Sequence, residues 1–396
     1  MFYPLWMVEG VERGYRYRFY PTAEQAVLLT RTFGCVRLVY NLGLQARRDA
    51  WQQRQETLGY GATSSLLTGW KQAPDFAFLN EVSCVPLQQT LRHLDAAYQN
   101  FFAGQARYPR FKSRKHSSRS AEFTGSGFTY RDGELRLAKL MDTPLDVVWS
   151  RPLPDGVVPS TVTVSQDRAG RWFVSLRVKR PVPAASGSTA AVGIDAGLNR
   201  LLTLSDGEPV DNPRQERRER AALARAQRIL ARKEKDSCNR EKARLRVARV
   251  HARVADRRRD MWHQVTTRLV RDNQVLVIED LAVTNMLRNH TLARAISDAS
   301  WGTFRTLLEY KAAEYGRTLI AVPRWYPSTR LCSVCGVRAE KMSLSVREWI
   351  CTGCGTEHDR DVNAARNILA AGLAVTACGA DRGPQRGNTS RAGSRR

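Results

Sequence analysis

The chain has 396 residues, of which 63 are Lys or Arg and 38 are Asp or Glu, so its formal net charge at pH 7 is +25. A basic excess of this size is unusual for a metabolic enzyme and is typical of proteins that bind a polyanion such as nucleic acid. No run of 18 apolar residues occurs, which argues against a membrane-spanning helix.

The N-terminal region alternates basic and aromatic residues from Gly14 to Tyr20. A period of two places these side chains on opposite faces of a strand, one of them wet and basic. Thr22 and Gln25 then have the spacing of a capping box, which predicts that a helix begins there. Helical patterning continues to about residue 105, with an expected loop over residues 59–65.

A segment over residues 108–115 interleaves basic and aromatic side chains, a pattern typical of nucleic-acid contact. The contacts expected from it are Arg110, Lys112, Arg114 and Lys115. From residue 121 to 182 the pattern changes to short alternating strands. We therefore expect residues 1–20 and 121–182 to form one β domain that is interrupted by a helical domain.

Residues 214–260 carry 18 Lys or Arg and seven Asp or Glu, a net charge of +11. The pattern is helical with an expected break near residues 237–239. It allows two interpretations, a solvated charged hairpin and a nucleic-acid face. The imbalance of sign favours binding, because solvated helices normally mix charges. The Gly- and Ser-rich residues 376–396 are expected to form a disordered basic tail.

Two apolar strands each end in a carboxylate. Residues 190–194 lead into Asp195, as the first strand of an expected hairpin over residues 189–207. A second β-branched run ends at Glu279 and Asp280, whose side chains point to opposite faces of a strand, so only one of them can join a given site. We choose Glu279, at the end of the strand, and keep Asp280 as the alternative.

A third acid comes from a helix after residue 358. Val362 and Ala365 belong to its apolar stripe, and Asp359 is a natural N-cap. Asp361 falls in the first turn, where the helix dipole also favours an acid. Its position therefore has a structural explanation beside a functional one.

Three carboxylates that converge on one site repel one another and stay ionised only with cations between them. Two divalent ions about 3.5–4 Å apart are the arrangement that phosphodiester cleavage uses. Hard oxygen ligands select Mg2+ or Mn2+ over Zn2+. If Asp195, Glu279 and Asp361 converge, they indicate a magnesium-dependent nuclease site.

Two C-x-x-C pairs, each followed by a glycine, are separated by 15 residues; the four cysteines are Cys332, Cys335, Cys351 and Cys354. This spacing predicts a tetrahedral zinc site. Because four thiolates close the coordination shell, the site is expected to be structural rather than catalytic. The other cysteines are scattered, as in proteins of a reducing compartment, and do not suggest a disulfide framework.

Together these segments resemble the TnpB family of transposon-associated RNA-guided nucleases, which is related to the compact type V CRISPR effectors. The matching stretches run in the family's order and cover about residues 14–372. They are Tyr17–Thr22 with Glu24 and Gln25, Tyr108–Ser113, Gly193–Leu198, Ile278–Leu281, Ser328–Gly336 and Asp359–Ala365. The last two are the most specific.

The resemblance implies an α+β multidomain fold. An RNase H-like RuvC α/β core would contain an inserted zinc ribbon, and an N-terminal β-barrel wedge would be interrupted by a helical recognition domain. The implied boundaries are 1–20 and 121–185 for the wedge, 21–120 for the recognition domain, 186–330 and 358–375 for the RuvC domain, and 331–357 for the zinc ribbon.

The resemblance also implies that Asp195, Glu279 and Asp361 hold two Mg2+ (or Mn2+) ions, and that the four cysteines hold one structural Zn2+ in a module that helps to load target DNA. The implied partners are a guide RNA derived from the transposon end and a double-stranded DNA target beside a short motif that the protein reads. Base pairing would supply the sequence specificity. The expected location is the prokaryotic cytoplasm, at the nucleoid.

Two other functions fit part of the pattern. A regulator with this architecture would bind DNA under RNA or zinc-ribbon control without cutting it, and a transposase would join DNA ends. The intact set of three acids favours the nuclease over the regulator. No separate end-binding domain is evident in the sequence to support the transposase.

Overall fold

The structure, a computed structural model, describes residues 11–140, 142–154, 156–180, 188–340, 342–343 and 345–377. The basic tail expected from the sequence lies outside these residues from 378 onward. The chain divides into two compact units, residues 1–181 with 235–249 and residues 182–234 with 250–396. Both units combine strands and helices, so the fold is mixed α/β and multidomain.

The first unit contains most of the N-terminal half. Its strands are β1 (Val11–Tyr20), β2 (Arg119–Thr124), β3 (Phe128–Arg131), β4 (Glu134–Leu137), β5 (Asp146–Val148), β6 (Thr161–Gln166) and β7 (Trp172–Arg180). Its helices are α1 (Ala23–Arg54), α2 (Tyr60–Gln72) and α3 (Cys84–Phe102), with 3-10 helices at Pro74–Glu81 and Gly125–Gly127.

Helix α1 begins with the predicted capping box. The Thr22 hydroxyl accepts the Gln25 N–H at 3.2 Å, and the Gln25 side chain accepts the Thr22 N–H at 3.1 Å. The loop expected over residues 59–65 is wrong, because α2 already begins at Tyr60. Local Gly and Ser content suggested a loop, but the buried face of α2, including Leu67, packs into the helical core and overrides that propensity.

One antiparallel sheet in this unit has the strand order β2-β6-β7-β1-β5. Strand β1 pairs with β7 and β5, so residues 11–20 join strands that come more than 100 residues later. The alternation predicted for β1 is confirmed: Tyr15, Tyr17 and Phe19 are buried in the core, and Arg16 is exposed on the other face. Its guanidinium stacks 3.7 Å from the centre of the Phe173 ring.

The second unit contains the remaining strands and most of the remaining helices. Its strands are β8 (Ala191–Asp195), β9 (Arg200–Leu204), β10 (Pro209–Asp211), β11 (Val275–Glu279), β12 (Thr318–Val322), β13 (Glu348–Ile350) and β14 (Glu357–Asp359). Its helices are α4 (Gln215–Ala231), α5 (Cys238–Asp272), which starts in residues of the first unit, α6 (Val283–Met286), α7 (Ala293–Ala299), α8 (Trp301–Glu314) and α9 (Arg360–Ala377).

The central sheet of this unit has the order β10-β9-β8-β11-β12. Strands β8 and β9 form the predicted antiparallel hairpin, whereas β8, β11 and β12 run parallel. The carboxyl ends of these three strands therefore meet at one edge of the sheet. The charged segment has the predicted break, but it lies slightly earlier, over residues 232–237, since α4 ends at Ala231 and α5 begins at Cys238.

Helix α9 packs very closely on this sheet. A Cβ atom at Gly193 of β8 would lie 2.1 Å from the carbonyl oxygen of Ala365, so only glycine fits there. Further along the helix, a Cβ atom at Gly372 would lie 2.4 Å from Cγ1 of Val277 in β11. The two glycines let the helix approach both strands. In the described part of the chain, no helix is long and apolar enough to cross a membrane.

Candidate metal centres

Asp195 and Glu279 end neighbouring parallel strands. Ile194 of β8 is paired with Ile278 of β11, so the two acids take adjacent positions at the carboxyl edge of the sheet. Asp195 lies two residues beyond Gly193, and Glu279 lies two residues beyond Val277; both Gly193 and Val277 touch α9. Because strand side chains alternate, both acids are on the face of the sheet that α9 covers.

Asp361 arrives from the start of that helix. The predicted N-cap is confirmed: the Asp359 carboxylate accepts the backbone N–H groups of Asp361 at 2.9 Å and Val362 at 3.0 Å. This cap fixes where α9 begins, and so it fixes the first turn that carries Asp361. The helix thus brings a third acid to the carboxyl edge of the sheet.

The electrostatics of Asp195 reflect this convergence. Burial raises the pKa of the Asp195 carboxyl well above its ordinary value, and the charges of Glu279 and Asp361 raise it further. Burial also raises the pKa of Glu279, against the effect of the Ser328 hydroxyl, which donates to Oε1 at 2.9 Å. A cation among the three would favour their ionised forms.

The alternative acid, Asp280, has other partners. It accepts hydrogen bonds from Arg305 at 2.5 Å and from Arg324 at 2.6 Å, and these two guanidinium groups lower its pKa. Its charge is therefore compensated within the protein. The register of the strands leaves Glu279, and not Asp280, beside Asp195.

Three polar residues that support this site were not singled out from the sequence. The Ser328 hydroxyl binds Glu279, and the Ser328 carbonyl oxygen accepts a hydrogen bond from the side-chain amide of Asn367 at 2.8 Å. Asn363 and Asn367 also donate to the Leu331 carbonyl oxygen, at 2.8 and 2.6 Å. The available signal was a pair of asparagines four residues apart on a mostly apolar helix, since buried amides require partners.

The four cysteines form a second candidate centre. Their sulfur atoms all lie within 4.8 Å of one another, and four thiols at this spacing fit a zinc ion. Among the described residues, no other group of three or more potential metal-ligand side chains is gathered this tightly. The three acids are therefore spaced more widely than the four sulfur atoms. The knuckle turns need glycine, because Gly336 has φ 75° and Gly355 has φ 71°.

The surroundings of the cysteines connect them to α9. Nε2 of His358 lies 3.1 Å from Sγ of Cys332, and the His358 ring packs on Trp349. The backbone N–H of Arg360, the first residue of α9, donates to the Arg347 carbonyl oxygen at 2.8 Å. The cysteine module is therefore bonded to the helix that carries Asp361.

The four basic residues proposed from residues 108–115 differ in their settings. Arg110, Arg114 and Lys115 are exposed. Lys112 is half-buried, with its ammonium 3.8 Å from the centre of the Tyr40 ring, and burial lowers its pKa. Asn41 also bonds both the N–H and the carbonyl oxygen of Lys112, at 2.8 and 2.9 Å. Lys112 therefore anchors the segment that displays the other three.

Comparison with protein families gives three matches. Residues 173–290 match the IS605 OrfB family described as "Probable transposase", residues 301–368 match a "Cas12f1-like, TNB domain", and residues 7–56 match a "Helix-turn-helix domain". In the structure the described part of the last region is strand β1 followed by a single long helix.

Two bacterial relatives cover nearly the whole chain. A protein of Streptomyces pristinaespiralis, provisionally named an RNA-guided DNA endonuclease, is 60% identical over 380 residues, which are 96% of this chain and 94% of the relative. The InsQ protein of Escherichia coli K12, with the same provisional name, is 35% identical over 93% of this chain and 94% of its own length.

Solved structures of the same fold come from two RNA-guided systems. A Cas12f1 in complex with sgRNA and target DNA aligns with a TM-score of 0.57 at 10% identity, over 91% of this chain and 99% of the other. The mini-RNA-guided endonuclease CRISPR-Cas_phi3 aligns with a TM-score of 0.51 at 8% identity, over 92% and 93%. At these identities the likeness concerns the fold alone.

Proposed function

Because this chain belongs to the TnpB (IS605 OrfB) family, we propose that it is an RNA-guided DNA endonuclease associated with a transposable element. The observation that carries the proposal is the approach of three acids at one edge of the sheet, where burial and then the charges of Glu279 and Asp361 raise the pKa of Asp195. Such a cluster is the donor set of a divalent-metal nuclease site.

The architecture supports a finer assignment. In the sheet β10-β9-β8-β11-β12 only β9 runs against the other strands, which is the RNase H-like arrangement of a RuvC core. We assign residues 186–330 and 358–375 to this core, and residues 331–357 to a zinc ribbon that contacts the target nucleic acid. The sheet of β1 and the later strands is assigned to a β-barrel wedge (1–20 and 121–185) around a helical recognition domain (21–120).

The acids fit Mg2+ or Mn2+ by their chemistry. All three offer hard oxygen donors, and the raised pKa of Asp195 reflects first its burial and then the neighbouring negative charge, which a cation would compensate. Two such ions, when bound, supply the positive charge that activates water and stabilises the leaving oxygen of a phosphodiester.

The protein's own part in hydrolysis is to position these acids. Asp195 and Glu279 are fixed by the ends of paired strands, and Asp361 by the capped start of α9. The Ser328 hydroxyl binds one oxygen of Glu279, which orients the carboxylate and leaves the other oxygen for a metal ion. We propose that Cys332, Cys335, Cys351 and Cys354 hold one structural Zn2+, which stabilises the ribbon beside α9.

We further propose that the partners are a guide RNA transcribed from the transposon end and a double-stranded DNA target with a short adjacent motif. The net charge of +25 supports binding to the many phosphate groups of an RNA and a DNA duplex. The exposed Arg110, Arg114 and Lys115 are proposed contacts. Base pairing with the guide would select the target, and the protein would contact the backbones. The chain would then act in the cytoplasm, at the nucleoid.

The test starts with expression of the full chain together with its native flanking DNA and sequencing of the RNA that co-purifies. We expect a discrete RNA with a constant scaffold and a variable end. DNA matching that end should be cut only when Mg2+ is added. Random RNA fragments and no cleavage of matched DNA would contradict the guided function.

Matched variants then test the site. Asp195→Ala and Glu279→Ala should abolish cleavage and keep nucleic-acid binding, because only metal ligation is lost. Asp211→Ala, which removes an exposed acid from the same unit, should cut like the wild type. Cleavage retained in both site variants would overturn the assignment, and binding without cleavage in the wild type would favour the regulator.

A further inference from the structure

A short turn follows β12 at the carboxyl edge of the central sheet, and it presents a tryptophan to solvent. Trp325 is 87% exposed, more than any other large apolar side chain in the described residues. Single exposed apolar residues are ordinary on protein surfaces. Trp325 is unusual because the turn on both sides of it is firmly attached.

Both neighbours of Trp325 are anchored. Arg324 donates to the Asp280 carboxylate at 2.6 Å, and Tyr326 packs on the cluster formed by Val277, Val322 and Ile368. The N–H of Tyr326 closes the turn on the Pro323 carbonyl oxygen at 3.0 Å. The backbone under the indole is therefore held in one position, and its ring is directed away from the core.

The turn is close to the acids. Strand β12 runs parallel to β11, so it ends at the edge where β11 delivers Glu279. Ser328, three residues after Trp325, donates to Glu279 at 2.9 Å. Three residues span at most about 11 Å, which is the length of only a few nucleotides along a DNA strand. A strand bound at the acids would therefore pass close to Trp325.

We propose that the indole of Trp325 stacks on a base of the unpaired DNA strand that enters the acid site. This inference rests on the nuclease function proposed above and names a contact of that site. Base–aromatic stacking tolerates any sequence, because every base has a π face. An unpaired strand is the occupant, because duplex bases are already stacked on each other.

Stacking supplies what the charged surface cannot. Phosphate contacts from arginine and lysine side chains attract the backbone but do not touch the bases. A ring on an anchored turn holds one nucleotide at a set place relative to Glu279, at small entropic cost because tryptophan has only two side-chain torsions. Trp325 thus sets the register of the strand in front of the acids.

Photo-crosslinking tests the contact directly. The full chain with its co-purified RNA is mixed with Ca2+ and an oligodeoxythymidine carrying 5-iododeoxyuridine, then irradiated, and the linked peptides are identified by mass spectrometry. We expect a link at Trp325 that persists in Trp325→Phe and disappears in Trp325→Ala. Links confined to other parts of the chain would overturn the proposal.

Single-turnover cleavage of a guided target gives a second readout. Trp325→Ala should cut about 5- to 150-fold more slowly, the range expected for loss of one base–aromatic stack, and Trp325→Phe should recover most of the rate. Trp51→Ala removes another exposed tryptophan (54% exposed, in α1) and should cut normally. Equal rates for wild type and Trp325→Ala would overturn the proposal.

The two readouts separate this inference from the proposed function. If the wild type forms the Trp325 link but does not cut matched DNA, the nuclease proposal fails and the stacking contact remains. If the wild type cuts and Trp325 neither links nor affects the rate, the stacking contact alone fails.

Discussion

A guanidinium nitrogen of Arg347 lies 3.3 Å from the carboxylate of Asp361. Arg347 belongs to the segment between the two cysteine pairs, and Asp361 is in the first turn of α9. The arginine therefore supplies a positive charge to one of the three acids when no metal ion does. Because the Arg347 side chain is half exposed, solvent screens the pair and its free energy is modest.

Removal of this arginine should make metal binding easier. We expect Arg347→Ala to lower the Mg2+ concentration for half-maximal thermal stabilisation about fivefold, which corresponds to roughly 1 kcal/mol for a partly exposed ion pair. Arg338→Ala, which removes an exposed arginine from the same segment, should leave the titration unchanged. A higher Mg2+ requirement in Arg347→Ala would mean that the arginine assists the metal ions instead of competing with them.

Asp195→Asn should stabilise the metal-free protein at neutral pH. The folded-state pKa of Asp195 is raised, so the wild type loses stability as the pH rises from the ordinary aspartate value of about 3.9 through the raised pKa. The asparagine removes this loss, and the two melting temperatures should converge near pH 4. Calorimetry with chelator across this pH range checks the expectation.

The same variant tests metal binding. Mg2+ at about 100 times its dissociation constant should stabilise the wild type by roughly 2.7 kcal/mol. Asp195→Asn should show a much smaller shift. An equal shift in both proteins would place the stabilising ion elsewhere.

Each chain should hold one zinc ion at the cysteines. Elemental analysis is expected to give one equivalent for the wild type and little for Cys351→Ser, because three thiolates and a hydroxyl no longer form the tetrahedral set. Hydrogen exchange should then rise over the ribbon, since metal binding drives local folding. Cys84→Ser, at an exposed cysteine outside the cluster, is the control. Full zinc content in Cys351→Ser would contradict the assignment.

His358 should strengthen zinc binding without ligating the ion. An imidazole N–H at Nε2 is positioned to donate to Sγ of Cys332. Hydrogen bonds of this kind to metal ligands are worth about 10- to 100-fold in metal affinity. We expect a loss of that order in His358→Ala, measured by competition with a chromophoric chelator. His358→Gln keeps a donor and should lose less. Unchanged affinity in His358→Ala would remove the histidine from this role.

Gly193→Ala should destabilise the second unit by about 1–3 kcal/mol or more, because the added methyl group meets the Ala365 backbone oxygen and forces α9 away from the sheet. The displaced helix would also move Asp361, so the cleavage rate should fall even at a temperature where the variant is still folded. Gly34→Ala is the matched control: its Cβ would meet no atom within 4 Å, and alanine favours a helix by about 1 kcal/mol. Denaturant unfolding compares the two.

Local pattern predicted the parts of the fold that depend on periodicity. The alternation in β1, the capping box of α1, the hairpin β8–β9 and the Asp359 cap all involve residues close together in the sequence. The candidate acids were also visible, because an apolar strand that ends in a carboxylate is conspicuous in a short window. The roles of Asp195, Glu279 and Asp361 as metal ligands stay a prediction.

The interactions that complete the site were not predictable in this way. Ser328 is 49 residues from Glu279, and Arg347 is 14 residues from Asp361 across the cysteine segment. Such contacts depend on how α9 packs against the sheet, which no single segment encodes. The loop expected over residues 59–65 failed for a related reason, because burial of one face decided the conformation of α2.

Ser328 has a consequence for how this fold tolerates change. Its hydroxyl binds Glu279, and its carbonyl oxygen binds the helix that bears Asp361. One residue thus bonds both to the carboxylate at the end of β11 and to the helix whose first turn carries the third acid. We expect the surrounding loops to tolerate changes in length and sequence as long as these two bonds keep the proposed metal ligands together.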